Sequence, residues 1–109
     1  MDEEEARNLV AQFQNMQQQL QALLIQKESM KVQSMEIDRA LEELSKSNQK
    51  SVYKISGQIM ISKNVDELKK ELEETKENVE IKIKSMEKTE ERVTNKLKEL
   101  QNKLKEVMK

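Results

Sequence analysis

The side chains in this chain that could take part in chemistry are almost all carboxylates and ammonium groups. The 109 residues include 21 Asp and Glu and 20 Lys and Arg, but no histidine and no cysteine. The commonest general base is therefore missing, and so are thiolate nucleophiles, thiolate metal ligands and disulfides. Adjacent carboxylates, such as Glu42-Glu43 and Glu90-Glu91, are what remains for acid–base chemistry.

These carboxylate pairs do not make an active site. Consecutive positions on a helix do not face one another. Without a pocket around them, their simplest interpretation is a solvated helix surface. The single glycine also excludes a glycine-rich phosphate loop. We predict no catalytic, cofactor-binding or metal-binding residue, and no enzymatic activity.

The distribution of charge argues against a nucleic-acid or membrane partner. The formal net charge is −1, and basic and acidic residues are interspersed without a Lys/Arg block. One tyrosine and one phenylalanine leave little on which a base could stack. The apolar run at residues 22–25 is far too short for a membrane span. The acidic residues 2–5 are unlike a signal peptide, so we expect a cytoplasmic protein.

The first half of the chain has the apolar period of a coiled coil. Its apolar residues recur at alternating steps of four and three, which is a repeat of 3.5 residues. Lys27 and Ser34 fall on this seam and interrupt it, so they either fix the register or are merely tolerated. The apolar seam residues are Leu9, Phe13, Met16, Leu20, Leu23, Met30, Ile37, Leu41 and Leu44. Asp2 is placed to cap the start of this helix.

The second half repeats the pattern behind a predicted N-cap at Asn64. Glu67, three residues later, completes a capping-box-like motif. The seam residues are Val65, Leu68, Leu72, Thr75, Val79, Ile83, Met86, Glu90, Val93, Leu97, Leu100, Leu104 and Val107. Two consecutive steps of four, on either side of Val79, form a stutter that should locally unwind the supercoil.

The segment between the helices is predicted to form a β-hairpin. Residues 51–61 hold the densest β-branched cluster, and Ser56-Gly57 offers a turn that can take a positive φ. An isolated two-stranded hairpin is barely stable in water, so it must join strands of other chains. We predict that oligomerisation uses Val52, Tyr53, Ile55, Gly57, Ile59 and Ile61.

The predicted fold is mostly α, an antiparallel two-helix coiled coil joined by one β-hairpin. We expect one structural unit with helical segments at residues 1–50 and 63–109 and an assembly hairpin at 51–62. If Gly57 marks the reversal, residue numbers across the helix pair sum to roughly 114. Leu9 and Phe13 would then lie near Leu100 and Leu104, with both termini at one tip.

This order of elements resembles the beta class of prefoldin, a family of holdase chaperones. The matching residues are Val52-Tyr53-Lys54-x-x-Gly57, followed by the apolar strand Ile59-Met60-Ile61. The glutamine-rich first helix and the Lys-Glu-rich second helix also match, so the resemblance covers essentially the whole chain. The single hairpin is typical of the beta class, since the alpha class carries two.

The resemblance implies a hexamer of two alpha and four beta subunits whose hairpins form an intersubunit β-barrel. Coiled-coil arms would hang from this body, grip unfolded polypeptides at their tips and deliver them to a group II chaperonin. No nucleotide or other cofactor would be needed. The implied partners are therefore a prefoldin alpha subunit, further copies of this chain, unfolded polypeptides and a group II chaperonin.

The arm tips are the predicted client-binding sites. Terminal helix turns lack hydrogen-bond partners and fray, which would expose seam residues to a non-native chain. Methionine is flexible and polarisable, and promiscuous binding surfaces often use it. The predicted tip residues are Leu9, Val10, Phe13, Met16, Leu104, Val107 and Met108.

Two other functions remain open from the residues alone. A structural coiled-coil protein, acting in oligomerisation or tethering, would explain the helices but not an unpartnered hairpin at the midpoint. A partner-specific adaptor would need a polar code at the tips, which the sequence does not show. Mass in solution with and without an alpha-class partner would distinguish these alternatives.

Overall fold

The computed structural model describes residues 2–46 and 49–107, which form two long helices and two short strands. The order is α1 (Glu3–Lys46), β1 (Ser51–Ser56), β2 (Ile59–Asn64) and α2 (Val65–Val107). The chain contains no proline, so no residue blocks the hydrogen-bond ladder of either helix. The predicted fold of two helices and one hairpin is confirmed, although the hairpin continues to Asn64 and α2 begins at Val65.

Both helices begin with the side-chain caps that the sequence predicts. The Glu5 backbone N–H donates to Asp2 Oδ1 at 2.7 Å. At the second helix, the backbone N–H groups of Asp66 and Glu67 donate to Asn64 Oδ1 at 2.9 and 3.4 Å. These bonds satisfy N–H groups that have no partner within the helix, which is why Asp and Asn are preferred there.

A two-residue turn joins the strands. β1 and β2 pair antiparallel from Ser51↔Asn64 to Ser56↔Ile59, leaving only Gly57 and Gln58 in the connection. Gly57 has a φ of 63°, a conformation that costs glycine nothing and strains other residues. A positive φ at the first turn position is typical of a type II′ turn, whose twist matches that of the strands. The turn therefore lies one residue later than predicted.

The described residues divide into two compact units, each built from distant parts of the sequence. The terminal unit combines Met1–Ser29 with Ile83–Lys109, and the hairpin unit is Met30–Lys82. Within the terminal unit the two helices pack through their seams, where Val93 and Leu100 are buried. The other described seam positions of that unit are half-buried, so its core is one narrow stripe.

The hairpin unit has a similar core. Ile37, Val65 and Val79 are its buried apolar residues. Lys76 Nζ of α2 lies 2.5 Å from Asp38 Oδ1 of α1, and these residue numbers sum to the predicted 114. Within this unit the helices therefore have the predicted antiparallel register.

Candidate functional site

The strand register divides the side chains of the hairpin between two faces. Directly opposed residues of an antiparallel pair share a face, and neighbours along a strand alternate. The lysine face carries Val52, Lys54, Ser56, Ile59, Ile61 and Lys63. The apolar face carries Ser51, Tyr53, Ile55, Met60, Ser62 and Asn64.

One carboxylate of α2 holds the lysine face. Lys54 Nζ donates to Glu71 Oε1 at 2.8 Å, and Lys63 Nζ donates to Glu71 Oε2 at 2.6 Å. These two hydrogen bonds lower the pKa of Glu71 to about 2, and the bond from Lys54 has the larger effect. Because one lysine comes from each strand, Glu71 links both strands to α2.

No described residue of the chain covers the apolar face. Tyr53, Ile55 and Met60 remain 69%, 73% and 64% exposed. Ile55 and Met60 stand directly opposite each other, so their side chains form one patch. Contiguous exposed apolar side chains of this kind mark interaction surfaces.

The strand edges are also open among the described residues, because β1 and β2 pair only with each other. The Val65 N–H donates to the Lys50 carbonyl at 2.9 Å. Lys50 and Val65 therefore form a hydrogen-bonded pair, which determines which of the following residue pairs are hydrogen-bonded and which are not. Alternate residues in such a ladder direct both backbone groups outward. In this hairpin they include Tyr53, Ile55 and Met60. Tyr53, Ile55 and Met60 therefore combine exposed apolar side chains with open backbone groups, as a template for strand addition requires. Ile59 and Ile61 are also exposed, but they lie at hydrogen-bonded positions of the ladder on the lysine face.

The predicted oligomerisation residues do not all lie together. Tyr53 and Ile55 are on the apolar face. The remaining ones are Val52, Ile59 and Ile61 on the lysine face and Gly57 in the turn.

Sequence reasoning missed Met60 as a candidate for assembly. Its position opposite Ile55 depends on where the turn falls, since a shift of one residue moves a side chain to the other face. The signal was present in the alternation along β2, but it could be used only once the turn was placed at Gly57 and Gln58.

The predicted tip residues lie in the terminal unit and are only partly accessible. Val10 is exposed, and Met108 lies outside the described residues. The half-buried ones are Leu9, Phe13, Met16, Leu104 and Val107. Part of their apolar surface thus packs within the helix pair, and the rest is exposed to solvent.

Two shallow grooves reach these residues. One of about 460 Å³ is lined in part by Met16 and Val93. Another, of about 450 Å³, is lined in part by Leu9, Lys103 and Glu106. Leu9 thus lies beside residues that flank Leu104, as the predicted register requires. Separation of the helix ends would expose more of these half-buried side chains to an apolar ligand.

The described residues contain no cluster of metal-ligating side chains and no membrane span. Residues 2–46 and 49–107 contain no group of three or more acidic side chains placed to hold an ion. None of the described helices combines the length and hydropathy that crossing a bilayer requires.

Comparison with known proteins identifies the family. Residues 7–109 match the family model described as prefoldin subunit. The prefoldin subunit beta of Archaeoglobus fulgidus is 38% identical over 105 residues, which cover 95% of this chain and 90% of that protein. The corresponding protein of Methanococcoides burtonii is 37% identical, with the same two coverages of 95% and 90%.

A solved structure shows the same fold. The crystal structure of the prefoldin beta subunit from Thermococcus strain KS-1 superposes with a TM-score of 0.83 at 28% identity, covering 94% of this chain and 91% of that chain. Two long helices with one exposed hairpin, together with these matches, define a coiled-coil protein of the chaperone class. The chain belongs to the prefoldin family. Its recognition from sequence as a beta-class chain is confirmed.

Proposed function

We propose that this chain is a subunit of a nucleotide-independent holdase that acts in the cytoplasm. It binds unfolded polypeptides, prevents their aggregation and passes them to a group II chaperonin, without an enzymatic step. The observation that carries the proposal is the uncovered apolar hairpin in a chain of the prefoldin family.

The hairpin is the assembly element. Two strands with open edges and an exposed apolar face gain stability only by pairing with further strands. A prefoldin alpha subunit and other copies of this chain supply those strands, in a hexamer of two alpha and four beta subunits built around a β-barrel. Glu71 supports this arrangement because it holds the lysine face against α2 and leaves Tyr53, Ile55 and Met60 free.

The helix ends of the terminal unit bind the client. Their seam residues are half-buried, so a modest opening of the last turns exposes apolar side chains without disrupting the buried core at Leu100. Each contact is weak, but several subunits acting on one client raise the effective concentration. Dissociation of individually weak contacts then releases the client without any chemical step.

The test compares the full-length protein with a variant lacking residues 1–13 and 104–109, each mixed with a prefoldin alpha subunit. Light scattering coupled to size exclusion measures mass, and turbidity measures aggregation of a denatured enzyme. We expect both proteins to assemble, and only the full-length protein to suppress aggregation, with or without ATP. Equal protection by the shortened complex would refute binding at the helix ends. Failure of the full-length chain to assemble with an alpha subunit would instead favour a structural tether.

A further inference from the structure

α1 contains a long stretch without charge. No Asp, Glu, Lys or Arg occurs between Arg7 and Lys27, although 38% of the chain is charged. Helix surfaces that face water in coiled coils are normally rich in charged residues. The α2 segment of the same unit follows this rule, with Lys and Glu at most exposed positions. The uncharged stretch is therefore a local departure from the composition of the molecule.

Seven exposed residues of this stretch form a strip along one side of α1. Spacings of three and four residues place them on one helix face, beside the seam and not on it. We call this surface the amide strip; it consists of Val10, Gln14, Gln17, Gln18, Gln21, Leu24 and Ile25. It is about 22 Å long at 1.5 Å per residue. Ile25, at one end, is 71% exposed.

The middle of the strip is concave. A groove of about 640 Å³ is lined by all four of its glutamines together with Leu20 of α1 and Leu97 of α2. Both leucines are half-buried seam residues. The groove thus combines amide groups with an apolar contact, and no charged side chain lines it.

This combination complements a polypeptide main chain. A glutamine amide offers two donors and an acceptor, so it can bond a peptide group whatever side chain that residue carries. An uncharged groove avoids the cost of removing ions from water when a ligand covers it. The aliphatic ends add contact for apolar side chains. An extended segment of about seven residues would span the strip.

We propose that the amide strip is a second client-binding surface, one that binds the main chain of extended, non-native polypeptides. The inference rests on the proposed holdase function and adds to it a surface distinct from the seam residues at the helix ends. Hydrogen bonds to the client backbone would make recognition independent of client sequence, which contacts to apolar side chains alone do not achieve.

The decisive variant places charge on the strip without weakening the helix. It carries Gln14→Glu, Gln17→Glu, Gln18→Lys and Gln21→Lys. Glu, Lys and Gln have similar helix propensities, and the new charges form favourable pairs four residues apart. A matched control carries Asn15→Glu, Gln19→Lys, Ala22→Glu and Gln26→Lys on the other side of α1. Both variants keep the net charge, and circular dichroism and mass measurements check helicity and assembly.

Two probes measure binding by the assembled protein. The first is a reduced, alkylated protein that cannot refold, for which we expect about tenfold weaker binding by the strip variant, equivalent to two net hydrogen bonds. The control should bind like the wild type. The second is an uncharged fluorescent peptide and its N-methylated form, which lacks main-chain donors. N-methylation should weaken binding to the wild type and the control, but not weaken it further in the strip variant.

Three results would overturn the inference: unchanged binding by the strip variant, equal losses in both variants, or wild-type binding that ignores N-methylation. A second variant, Ile25→Gln, changes an exposed side chain that the fold does not need, and should weaken binding about threefold. If the shortened chain loses protection while the strip variant retains it, the strip is not a client site but the proposed function stands. If neither change affects protection, neither surface is a client site. The proposed function itself fails if the full-length assembled protein does not suppress aggregation.

Discussion

Lys27 of α1 and Glu90 of α2 contact each other across the seam of the terminal unit, with Nζ 2.5 Å from Oε2. Both occupy positions where the 3.5-residue repeat calls for apolar side chains, and they are only 15% and 28% exposed. The hydrogen bond to Glu90 raises the pKa of Lys27. A polar layer within an apolar seam is a known way to specify register, because any shift leaves its charges without partners.

The first prediction concerns this polar layer. Lys27→Glu should lower the melting temperature, since it places two carboxylates together in a poorly solvated seam. Combining it with Glu90→Lys should restore most of the loss. Thermal unfolding followed by circular dichroism measures both. The control is Arg7→Glu, which alters an exposed pair with Glu3 and should have little effect. A double variant no more stable than Lys27→Glu alone would contradict the register role.

The second prediction concerns the buried core of the terminal unit. Leu100 is only 1% exposed, so Leu100→Ala should destabilise the protein by about 2–4 kcal/mol through lost burial and the cavity left behind. Leu24→Ala, on the exposed side of α1, is the matched control and should cost well under about 1 kcal/mol. Urea unfolding measures both. Equal effects would mean that the seam is not the core of this unit.

The third prediction concerns Glu71 and pH. Because the folded state lowers its pKa from the ordinary 4.5 to about 2, its bonds to Lys54 and Lys63 stabilise the protein above about pH 4.5. That stability should be lost progressively as the pH falls towards 2. Glu71→Gln should therefore be less stable than the wild type at pH 7, and the difference should vanish near pH 2. Thermal unfolding across this pH range measures the difference in stability between the wild type and Glu71→Gln, and Glu42→Gln is an exposed control. A stability difference that does not depend on pH would show that Glu71 acts by packing alone.

Local signals in the sequence account for much of the fold. The period of 3.5 residues located both seams, and Asp2 and Asn64 located both helix starts, because these features depend on neighbours within one or two turns. The hairpin followed from its β-branched residues and from Gly57. Its use in assembly is a proposal that further chains must test.

The contacts that orient the candidate site could not be predicted. Which hairpin face is uncovered depends on a turn placed to within one residue. The link from Lys54 and Lys63 to Glu71 joins three elements, and the pairing of Lys27 with Glu90 depends on the relative level of two helices. The sequence indicated that Lys27 could fix the register of the helices. A seam pattern on one helix does not, however, identify the residue that it contacts on the other helix.

The fourth prediction concerns the stutter in α2. Helical structure continues through it, and the Thr75 hydroxyl donates to the Glu71 carbonyl at 2.9 Å, a bond that competes with the helix ladder. We expect amides between Thr75 and Ile83 to exchange hydrogen faster than those of residues 65–72, because the altered pitch weakens seam packing. Hydrogen exchange with mass spectrometry measures this. Thr75→Leu should slow exchange in the window, and uniform protection along α2 would contradict the prediction.

The fifth prediction tests the hairpin as an assembly element. Ile55→Lys with Met60→Lys places two charges at the centre of the apolar face, which assembly would have to bury without partners. The helical signal should persist while light scattering with an alpha subunit shows smaller species. Ile59→Lys with Ile61→Lys, on the lysine face, should reduce the mass as well, since these exposed side chains belong to β2 and strand addition would place the new charges beside another chain. Ile81→Lys changes an isoleucine of α2 whose exposure lies within the range of the substituted hairpin residues, and it should leave assembly intact. Full assembly of both hairpin variants would rule out the hairpin as the assembly element, and loss with Ile81→Lys would implicate general exposure of apolar surface instead.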